Sequence, residues 1–297
     1  MIFTGSATAL VTPFSRDGLI DKAAFCTLID RQIQSGSSAV VVLGTTGENA
    51  TVTPKERSRL LAIAVDQVAG RVPLIIGTGN NSTDESIAFS VEAAHLGADG
   101  LLVVGPYYNK PPQRGFKAHV AAIADATSCP IILYNVPGRT GFDASTESIL
   151  ELAHEIPSVV GVKEASGDLA KVADLIQGRP EGFAVYSGDD EWTLFFLVLG
   201  ADGVISVISN VLPRLMSRLV RLGLKGELKE ASQVHYTLLR AMRACFLDTN
   251  PIPVKAILAK LGYTESKLRL PLVTMSAEQE EFIMSEFLTA LEAEGEL

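Results

Sequence analysis

The pentapeptide Leu96-Gly97-Ala98-Asp99-Gly100 leads into the apolar run Gly100–Val104, and the same five residues recur as Leu199-Gly200-Ala201-Asp202-Gly203 before Gly203–Val207. Each copy predicts a helix that ends at its first glycine, because glycine tolerates the left-handed backbone at the C′ position, with a strand directly after it. The two copies lie four such units apart, as half-barrel quasi-symmetry would give. Chance similarity between two loops that both need a glycine is the alternative.

Short apolar, β-branched runs like these recur about every 30 residues, bounded by glycine, proline or polar residues. Eight strands are predicted: Ala7–Val11, Ala39–Leu43, Pro73–Ile76, Gly100–Val104, Pro130–Tyr134, Val159–Val162, Phe183–Tyr186 and Gly203–Val207. Amphipathic stretches of helical length lie between them: Lys22–Gln34, Lys55–Ala69, Thr83–Leu96, Arg114–Thr127, Thr146–Glu155, Asp168–Ile176, Asp190–Leu199 and Pro213–Leu222.

Continuous apolar strands that alternate with helices indicate a parallel sheet covered on both faces. Eight such units predict an α/β fold of the (β/α)8 TIM-barrel type. A doubly wound sheet is the rival fold, but no G-x-G-x-x-G follows the first strand and no phosphate-binding G-x-x-x-x-G-K-[ST] occurs.

The strand pattern stops at about Gly226. Helices are predicted at Glu227–Leu247, Val254–Leu261 and Ala277–Glu292, interrupted by Asn250-Pro251-Ile252-Pro253. We therefore divide the chain into a barrel, residues 1–224, and a helical C-terminal extension, residues 225–297.

The bulk composition excludes several classes of protein. The 297 residues are 47% hydrophobic and 20% charged, and their net charge of −9 argues against nucleic acid or an anionic membrane as a partner. No apolar run is long enough to span a bilayer, and no signal peptide is visible at Met1. The cysteines, Cys26, Cys129 and Cys245, are far apart, which fits a reducing cytoplasm rather than a disulfide framework or a thiolate metal site.

Lys163 ends the run Val159-Val160-Gly161-Val162 and is the only one of 11 lysines that we place on an otherwise apolar strand. Burial lowers the pKa of a lysine, which makes the neutral amine available to attack a carbonyl. Lys163 is therefore a candidate Schiff-base former. The alternative is a salt bridge with Glu164 or another nearby carboxylate.

The active site of such a barrel lies at the carboxyl ends of its strands, where this chain offers an amine, hydroxyls and a guanidinium but no histidine. His95, His119, His154 and His235 all fall in predicted outer helices, which argues against a metallohydrolase or a Ser-His triad. Two acidic residues follow strand seven, Asp189 and Asp190. They could bind Mg²⁺, although an N-cap for a helix starting near Glu191 is the favoured interpretation.

The remaining rim residues point to carbonyl chemistry. Tyr134 could transfer protons to and from an imine, or it could be a core aromatic residue with a satisfied hydroxyl. Thr45 and Thr46, in a turn between Gly44 and Gly47, could bind a carboxylate, or the glycines could simply permit a tight turn. Arg139 could bind a second carboxylate or remain a solvated charge. A surface or subunit contact is the favoured interpretation of Tyr107 and Tyr108.

Taken together, these segments resemble the dihydrodipicolinate synthase family of the pyruvate-dependent, Schiff-base-forming aldolases, a superfamily that includes N-acetylneuraminate lyase. The resemblance covers essentially the whole chain, and the joint order and spacing of its motifs make it specific. The motifs are Gly44–Glu48, Pro106–Asn109, Tyr134–Thr140, Gly161–Gly167, Gly203–Val207 and Asn250–Lys255.

The resemblance implies a role for individual residues. Lys163 would form the Schiff base with pyruvate, and Tyr134 would donate and accept protons through a relay with Thr45 and Tyr108. Thr46, Ile205 and Gly188 would bind substrate, with Thr46 on the pyruvate carboxylate. Arg139 would receive the carboxylate of aspartate-4-semialdehyde, and it separates this chain from the sialate lyases, which usually lack it.

The implied reaction condenses pyruvate with aspartate-4-semialdehyde to 4-hydroxy-tetrahydrodipicolinate, without metal or organic cofactor. The family would place Tyr108 at the site of the adjacent subunit in a tight dimer, and it commonly forms homotetramers. A paralogous aldolase acting on a sugar acid or hydroxy-oxo acid is the alternative activity. A barrel that had lost catalysis would have lost the lysine, tyrosine or threonines, and all are present.

Lysine-sensitive members of the family carry an allosteric lysine pocket at the dimer interface. Asn49, Ala50, Asn81, Glu85 and Tyr107 match that pocket. Two positions that hold histidines in a sensitive enzyme are Pro54 and Arg57 in this chain. Because a proline side chain makes no hydrogen bond and a guanidinium repels an ammonium group, we predict weak or absent feedback inhibition by lysine.

Overall fold

A computed structural model describes residues 1–297 and contains a closed barrel of eight parallel strands. Neighbouring strands pair in sequence order, and β1 closes the barrel by pairing with β8, Gly5 opposite Gly203. The predicted TIM barrel is confirmed. The strands are β1 Gly5–Ala9, β2 Ala39–Val42, β3 Leu74–Gly77, β4 Gly100–Val104, β5 Ile131–Asn135, β6 Val159–Glu164, β7 Ala184–Ser187 and β8 Gly203–Ser206.

The helices of the barrel lie outside the strands and begin and end close to the predicted positions. They are α1 Lys22–Gln34, α2 Pro54–Val68, α3 Thr83–Leu96, α4 Gln113–Ala126, the short α5 Pro137–Thr140, α6 Thr146–Glu155, α7 Leu169–Gly178, α8 Thr193–Leu199 and α9 Pro213–Leu224. The sequence pattern missed α5 and the 3₁₀ turns Asn49–Thr51 and Ile208–Asn210, because one turn is too short to show a helical period.

The repeated pentapeptide forms the same helix-to-strand connection at two places in the barrel. Gly97 and Gly200 end α3 and α8 in the left-handed conformation, with φ of 102° and 101°. The aspartate of each copy then accepts a hydrogen bond from the strand beside it: Asp99 from the Leu74 amide at 2.8 Å, and Asp202 from the Val185 amide at 2.9 Å. The repeat therefore fixes the helix end and the pairing of the next strand at both positions.

Two separate apolar cores stabilise the barrel. A cluster of 66 buried residues lies between strands and helices, and a cluster of 13 fills the barrel interior. At the amino-terminal end of the interior, Phe3 stacks on Tyr186 with ring centroids 4.3 Å apart, and the Tyr186 hydroxyl donates to the Phe3 carbonyl. This end is therefore plugged, so the open end is the one formed by the carboxyl ends of the strands.

The extension consists of α10 Leu228–Ala244, α11 Ile252–Lys260 and α12 Ala277–Glu294. Helix α10 packs on α9 and α12, and the Glu294 carboxylate of α12 accepts the amides of Arg214 and Leu215 at the start of α9, both at 2.8 Å. The extension is thus bonded to the last barrel helix. None of the helices is long and apolar enough to cross a membrane.

Candidate active site

A small cavity of about 120 Å³ opens at the carboxyl ends of the strands. It is well below the roughly 300–1,000 Å³ of sites that bind drug-sized ligands, which suits a small acid. Six predicted site residues line it: Lys163, Tyr134, Thr45, Thr46, Arg139 and Gly188. The other lining residues are Ala9, Gly44, Leu102, Val136, Ala165, Asp189, Val207, Phe246 and Asn250.

Lys163 projects from β6 into this cavity and is only 4% exposed. Its Nζ atom lies 4.3 Å from the centre of the Tyr134 ring, and the two residues are paired neighbours on β5 and β6. Burial is the main reason that the pKa of the Lys163 amine falls to about 8, with a smaller lowering from Arg139; Asp190 and Asp189 oppose it. About a tenth of this amine is therefore neutral at pH 7, far more than for an ordinary lysine.

The structure rules out the salt-bridge alternative for Lys163. Successive residues of a strand point to opposite faces, so Glu164 points away from the barrel interior. Its carboxylate accepts hydrogen bonds from the Asn135 amide at 2.9 Å and from the Ser166 backbone at 2.6 Å. None of the salt bridges in the structure includes Lys163, and its amine lies over the Tyr134 ring instead.

Tyr134 lies at the boundary between the packed interior and the cavity. Burial raises the pKa of its phenol, while the Arg139 charge and a hydrogen bond with the Thr45 hydroxyl lower it. The Tyr134 ring is a core aromatic residue, as one interpretation expects, and Tyr134 also lines the cavity, where proton transfer stays a prediction. Tyr134 is thus next to Thr45 and lines the same cavity as Lys163.

The next turn residue, Thr46, is held by the C-terminal extension. The Thr46 hydroxyl is buried and accepts a hydrogen bond from the Asn250 side-chain amide at 2.9 Å. The backbone carbonyl of Asn250 in turn accepts a bond of 3.4 Å from the guanidinium of Arg139, whose side chain is exposed at the mouth of the cavity. Thr46, Arg139 and Asn250, which are far apart in the sequence, are thus linked by hydrogen bonds at the mouth of the cavity.

Gly188 makes room for the lysine. A Cβ atom at this position would lie 3.2 Å from Lys163 Cε, 2.7 Å from Ala165 Cβ and 3.0 Å from the Glu164 carbonyl oxygen. The Gly188 amide donates to that same carbonyl at 2.8 Å. The absence of a side chain is therefore what permits β7 to approach β6 beside the reactive amine.

The N-cap interpretation is wrong for Asp190 but partly right for Asp189, whose carboxylate accepts the Glu191 amide at 3.0 Å in the turn before α8. Helix α8 begins at Thr193 rather than at Asp190, and the Asp190 carboxylate instead accepts the amides of Val207 and Ile208 at 3.0 and 2.8 Å. Burial raises the pKa of this carboxyl to about 6. Asp190 therefore ties the turn after β7 to the turn after β8, while Asp189 lines the cavity itself.

Two predicted site residues lie outside the cavity lining. Ile205 is fully buried in β8 opposite Ala7, and Val207, two residues later, is the residue that reaches the cavity. Tyr108 is 89% exposed and has a left-handed φ of 70°. Within one chain its ring is thus presented outward to solvent.

Of the residues matched to an allosteric pocket, Asn81, Glu85 and Tyr107 lie close together around the start of α3. The Tyr107 phenol has a raised pKa because of burial and the charge of Glu85, offset in part by a hydrogen bond with the Asn81 backbone and by Arg57. Asn49 and Ala50 lie in the 3₁₀ turn before α2. Arg57 is buried, stacks 4.1 Å from the centre of the Phe89 ring and donates to the Gly77 carbonyl at 2.7 Å.

Sequence reasoning missed Asn250 and Phe246, which reach the cavity from the extension. The motif at Asn250-Pro251-Ile252-Pro253 was visible, but one sequence gives no indication that a segment 204 residues beyond Thr46 folds back onto it. The four histidines lie in α3, α4, α6 and α10, as expected, and none lines the cavity.

Comparisons with known proteins agree on one family. The sequence model of the Dihydrodipicolinate synthetase family matches residues 2–290. A 4-hydroxy-tetrahydrodipicolinate synthase of Salinibacter ruber is 59% identical over 275 residues, which is 93% of this chain and 91% of that protein.

Solved structures give the same result. Dihydrodipicolinate synthase from Thermotoga maritima superposes with a TM-score of 0.96 at 41% identity, covering 100% of both chains. The enzyme from Cyanidioschyzon merolae, solved with lysine bound, gives a TM-score of 0.95 at 40% identity and covers 100% of this chain and 99% of that one.

Proposed function

Because the chain belongs to the dihydrodipicolinate synthetase family, we propose that it condenses pyruvate with L-aspartate-4-semialdehyde to 4-hydroxy-tetrahydrodipicolinate through an imine at Lys163. It is a lyase of lysine and diaminopimelate biosynthesis. The observation that carries the residue assignment is the buried, unpaired amine of Lys163 beside the Tyr134 ring. The sugar-acid alternative is not favoured, since relatives of up to 59% identity carry the synthase name.

The reaction begins when the neutral amine attacks the ketone carbon of pyruvate. Loss of water from the carbinolamine gives the imine, and loss of a methyl proton then gives the nucleophilic enamine. Tyr134 is placed to donate the proton to the departing hydroxyl and to receive one later, with Thr45 as its partner. Positioned proton transfer of this kind accelerates a step by about 10² to 10⁴-fold.

The enamine carbon then attacks the aldehyde of the second substrate. Attack of that substrate's amino group on the imine carbon closes the ring and returns Lys163 to its free amine. Thr46, Gly188 and the backbone at Ile205 would hold the pyruvate unit, and the Arg139 guanidinium at the mouth would bind the second carboxylate. The protein's own groups supply each of these steps, so the proposal calls for no cofactor.

Borohydride trapping tests the assignment. Reduction in the presence of pyruvate should add the mass of pyruvate, less water and plus two hydrogens, to the peptide that contains Lys163. The Lys163→Ala variant should not be trapped and should lose essentially all synthase activity. Wild-type condensation by Lys163→Ala would refute the proposal, and turnover of N-acetylmannosamine instead of the semialdehyde would favour the alternative.

We further propose that the chain self-associates as a tight dimer that presents Tyr108 to the neighbouring site, and that two dimers form a homotetramer. The strongly exposed Tyr108 ring supports the first contact. An exposed apolar surface supports the second; it is formed by Leu169, Ala170, Leu194, Phe195, Val198, Leu199 and Leu228. An exposed apolar surface is best covered by another apolar surface, and a second copy of this chain supplies one in a symmetric contact.

Two smaller proposals follow. We infer a cytoplasmic location, supported by three cysteines that are all free. We also infer that lysine binds weakly at the pocket of Asn49, Ala50, Asn81, Glu85 and Tyr107. The buried guanidinium of Arg57, electrostatically coupled to Tyr107, supports this inference because it adds positive charge where an ammonium group would bind.

A further inference from the structure

The turn that carries Thr45 and Thr46 has an unusual backbone. Strand β2 ends at Val42, and the residues on either side of the turn, Leu43 and Glu48, have left-handed φ values of 61° and 54° although neither is glycine. Such a conformation is strained and persists only where the surrounding structure enforces it. Something outside the turn must therefore hold it in place.

The Glu48 side chain provides one attachment. Its carboxylate is buried, and it accepts a hydrogen bond of 2.6 Å from Lys255 Nζ on α11 and one of 3.1 Å from the backbone amide of Arg269. Both partners belong to the extension. The carboxylate thus links the end of the Thr45-Thr46 turn directly to residues more than 200 positions later.

Lys255 provides the second attachment. Its fully buried amine also donates to the Thr12 carbonyl at 2.9 Å and lies 4.4 Å from the centre of the Phe14 ring. The Thr12 hydroxyl in turn donates to the Gly47 carbonyl at 2.7 Å. Lys255, Glu48, Gly47 and Thr12 therefore form a closed ring of contacts around the base of the turn.

A buried ion pair adds little net stability to a protein, because the cost of desolvating the two charges offsets their attraction. Apolar residues of similar size often stabilise a core as well or better. Its geometry, by contrast, is strict, since each charge is restricted to its partner. We infer that the Glu48–Lys255 pair is a positioning device that holds the hydroxyls of Thr45 and Thr46 against Tyr134 and the pyruvate unit. The inference rests on the proposed function, and it makes helix α11 part of the catalytic geometry.

The test compares Lys255→Met with Lys171→Met. Lys171 is a matched control, because it too is a buried lysine bound to a carboxylate, that of Asp143, and to a backbone carbonyl, that of Ala144, but it lies away from the turn. Each protein is first titrated by borohydride trapping of pyruvate, so that kcat is expressed per competent Lys163. Both variants should show a lower Tm.

Only Lys255→Met should lose kcat, by roughly tenfold to a hundredfold, since a displacement of about 1 Å at a catalytic group has an effect of that size. Its KM for aspartate-4-semialdehyde should stay near the wild-type value, because the Arg139 guanidinium contacts the Asn250 carbonyl and not the Glu48–Lys255 pair. Lys255→Arg, which keeps the charge, should recover part of kcat. A kcat per trapped site within twofold of wild type for Lys255→Met would overturn the inference.

If Lys255→Met does not fold, the double variant Glu48→Gln, Lys255→Met replaces it, because removal of both charges leaves no unpaired ion in the core. Reduced kcat in the folded double variant supports positioning, and wild-type kcat refutes it. Failure of wild-type protein to be trapped at Lys163 would instead refute the proposed function, so the two failures are distinguishable.

Discussion

Lys163 and Lys255 are both buried lysines, and burial lowers the pKa of each amine, yet only Lys255 has a carboxylate partner. Lys255 is bound to the Glu48 carboxylate and to a backbone carbonyl, which is how a buried ammonium group is normally compensated. Lys163 has an aromatic face beside it and no carboxylate partner within salt-bridge distance, so burial lowers the pKa of its amine to about 8. The uncompensated lysine is the one that can act as a nucleophile.

The pH dependence of trapping follows from that pKa. Only the neutral amine attacks pyruvate, so the trapping rate should rise with pH, about tenfold per unit below pH 7, and become constant above about pH 9. An unperturbed lysine with a pKa of 10.5 would still be rising at pH 9.

Two variants check the sign of this pH dependence. Arg139→Gln removes a charge that lowers the pKa of Lys163 and should move the profile to higher pH, whereas Asp189→Asn removes one that raises it and should move the profile to lower pH. Identical profiles for all three proteins would contradict the electrostatic account.

Gly188 gives a steric prediction at the same scale. Gly188→Ala places a Cβ atom 2.7 Å from Ala165 Cβ and 3.2 Å from Lys163 Cε, so β7 must shift or the lysine must move. We expect a loss of about 1–3 kcal/mol in the free energy of unfolding, as for overpacked cores, and a lower kcat. The control is Gly138→Ala, since a Cβ atom there meets nothing within 4 Å; equal effects of the two substitutions on kcat would refute the steric explanation.

At the scale of elements, the site is assembled by strand register and by turns. The parallel pairing of β5 with β6 sets Tyr134 beside Lys163, and the pairing of β6 with β7 sets Glu164 beside Ser187, so that Gly188 follows directly. The carboxyl ends of parallel strands meet at one end of the barrel, which is why residues of different strands can share a cavity. The strained turn between Leu43 and Glu48 is an exception, because its geometry depends on the extension.

The residues at the start of α2 and α3 lead to a prediction about feedback inhibition by lysine. Lysine should inhibit the wild-type chain weakly or not at all, while Pro54→His with Arg57→His should become more sensitive because the buried guanidinium is removed and two hydrogen-bonding side chains are added. Initial rates over a range of lysine concentrations test this. Half-inhibition of the wild type at micromolar lysine would show the prediction to be wrong.

At the scale of the whole molecule, the extension and the proposed partner subunit complete what the barrel begins. Asn250 and Phe246 reach the cavity from the extension, and Glu294 binds the first amides of α9. Tyr108, in contrast, is exposed and does not line the cavity of its own chain. The proposed relay through Tyr108 therefore requires a second copy.

Mixing of two inactive variants tests this requirement. A hybrid of Lys163→Ala with Tyr108→Phe contains one site in which the intact lysine faces the intact tyrosine of the partner. Equal mixing with subunit exchange should therefore restore about a quarter of the wild-type activity. Mixtures that stay as inactive as the separate variants, although hybrids are seen by native mass spectrometry, would refute a shared site.

The strand count, the parallel order and the rim residues could be predicted from the amino-acid sequence, because apolar periodicity and turn residues act locally along the chain. These rim residues are Lys163, Tyr134, Thr45, Thr46, Arg139 and Gly188. Three features became visible only in the folded chain: Lys163 is unpaired, Asp190 binds the amides of Val207 and Ile208, and Asn250 and Lys255 contact the Thr45-Thr46 turn and its flank. These contacts join residues that are distant in sequence or lie on different faces. These contacts depend on how the closed barrel and the extension pack against each other, and a local sequence pattern contains no information about that packing.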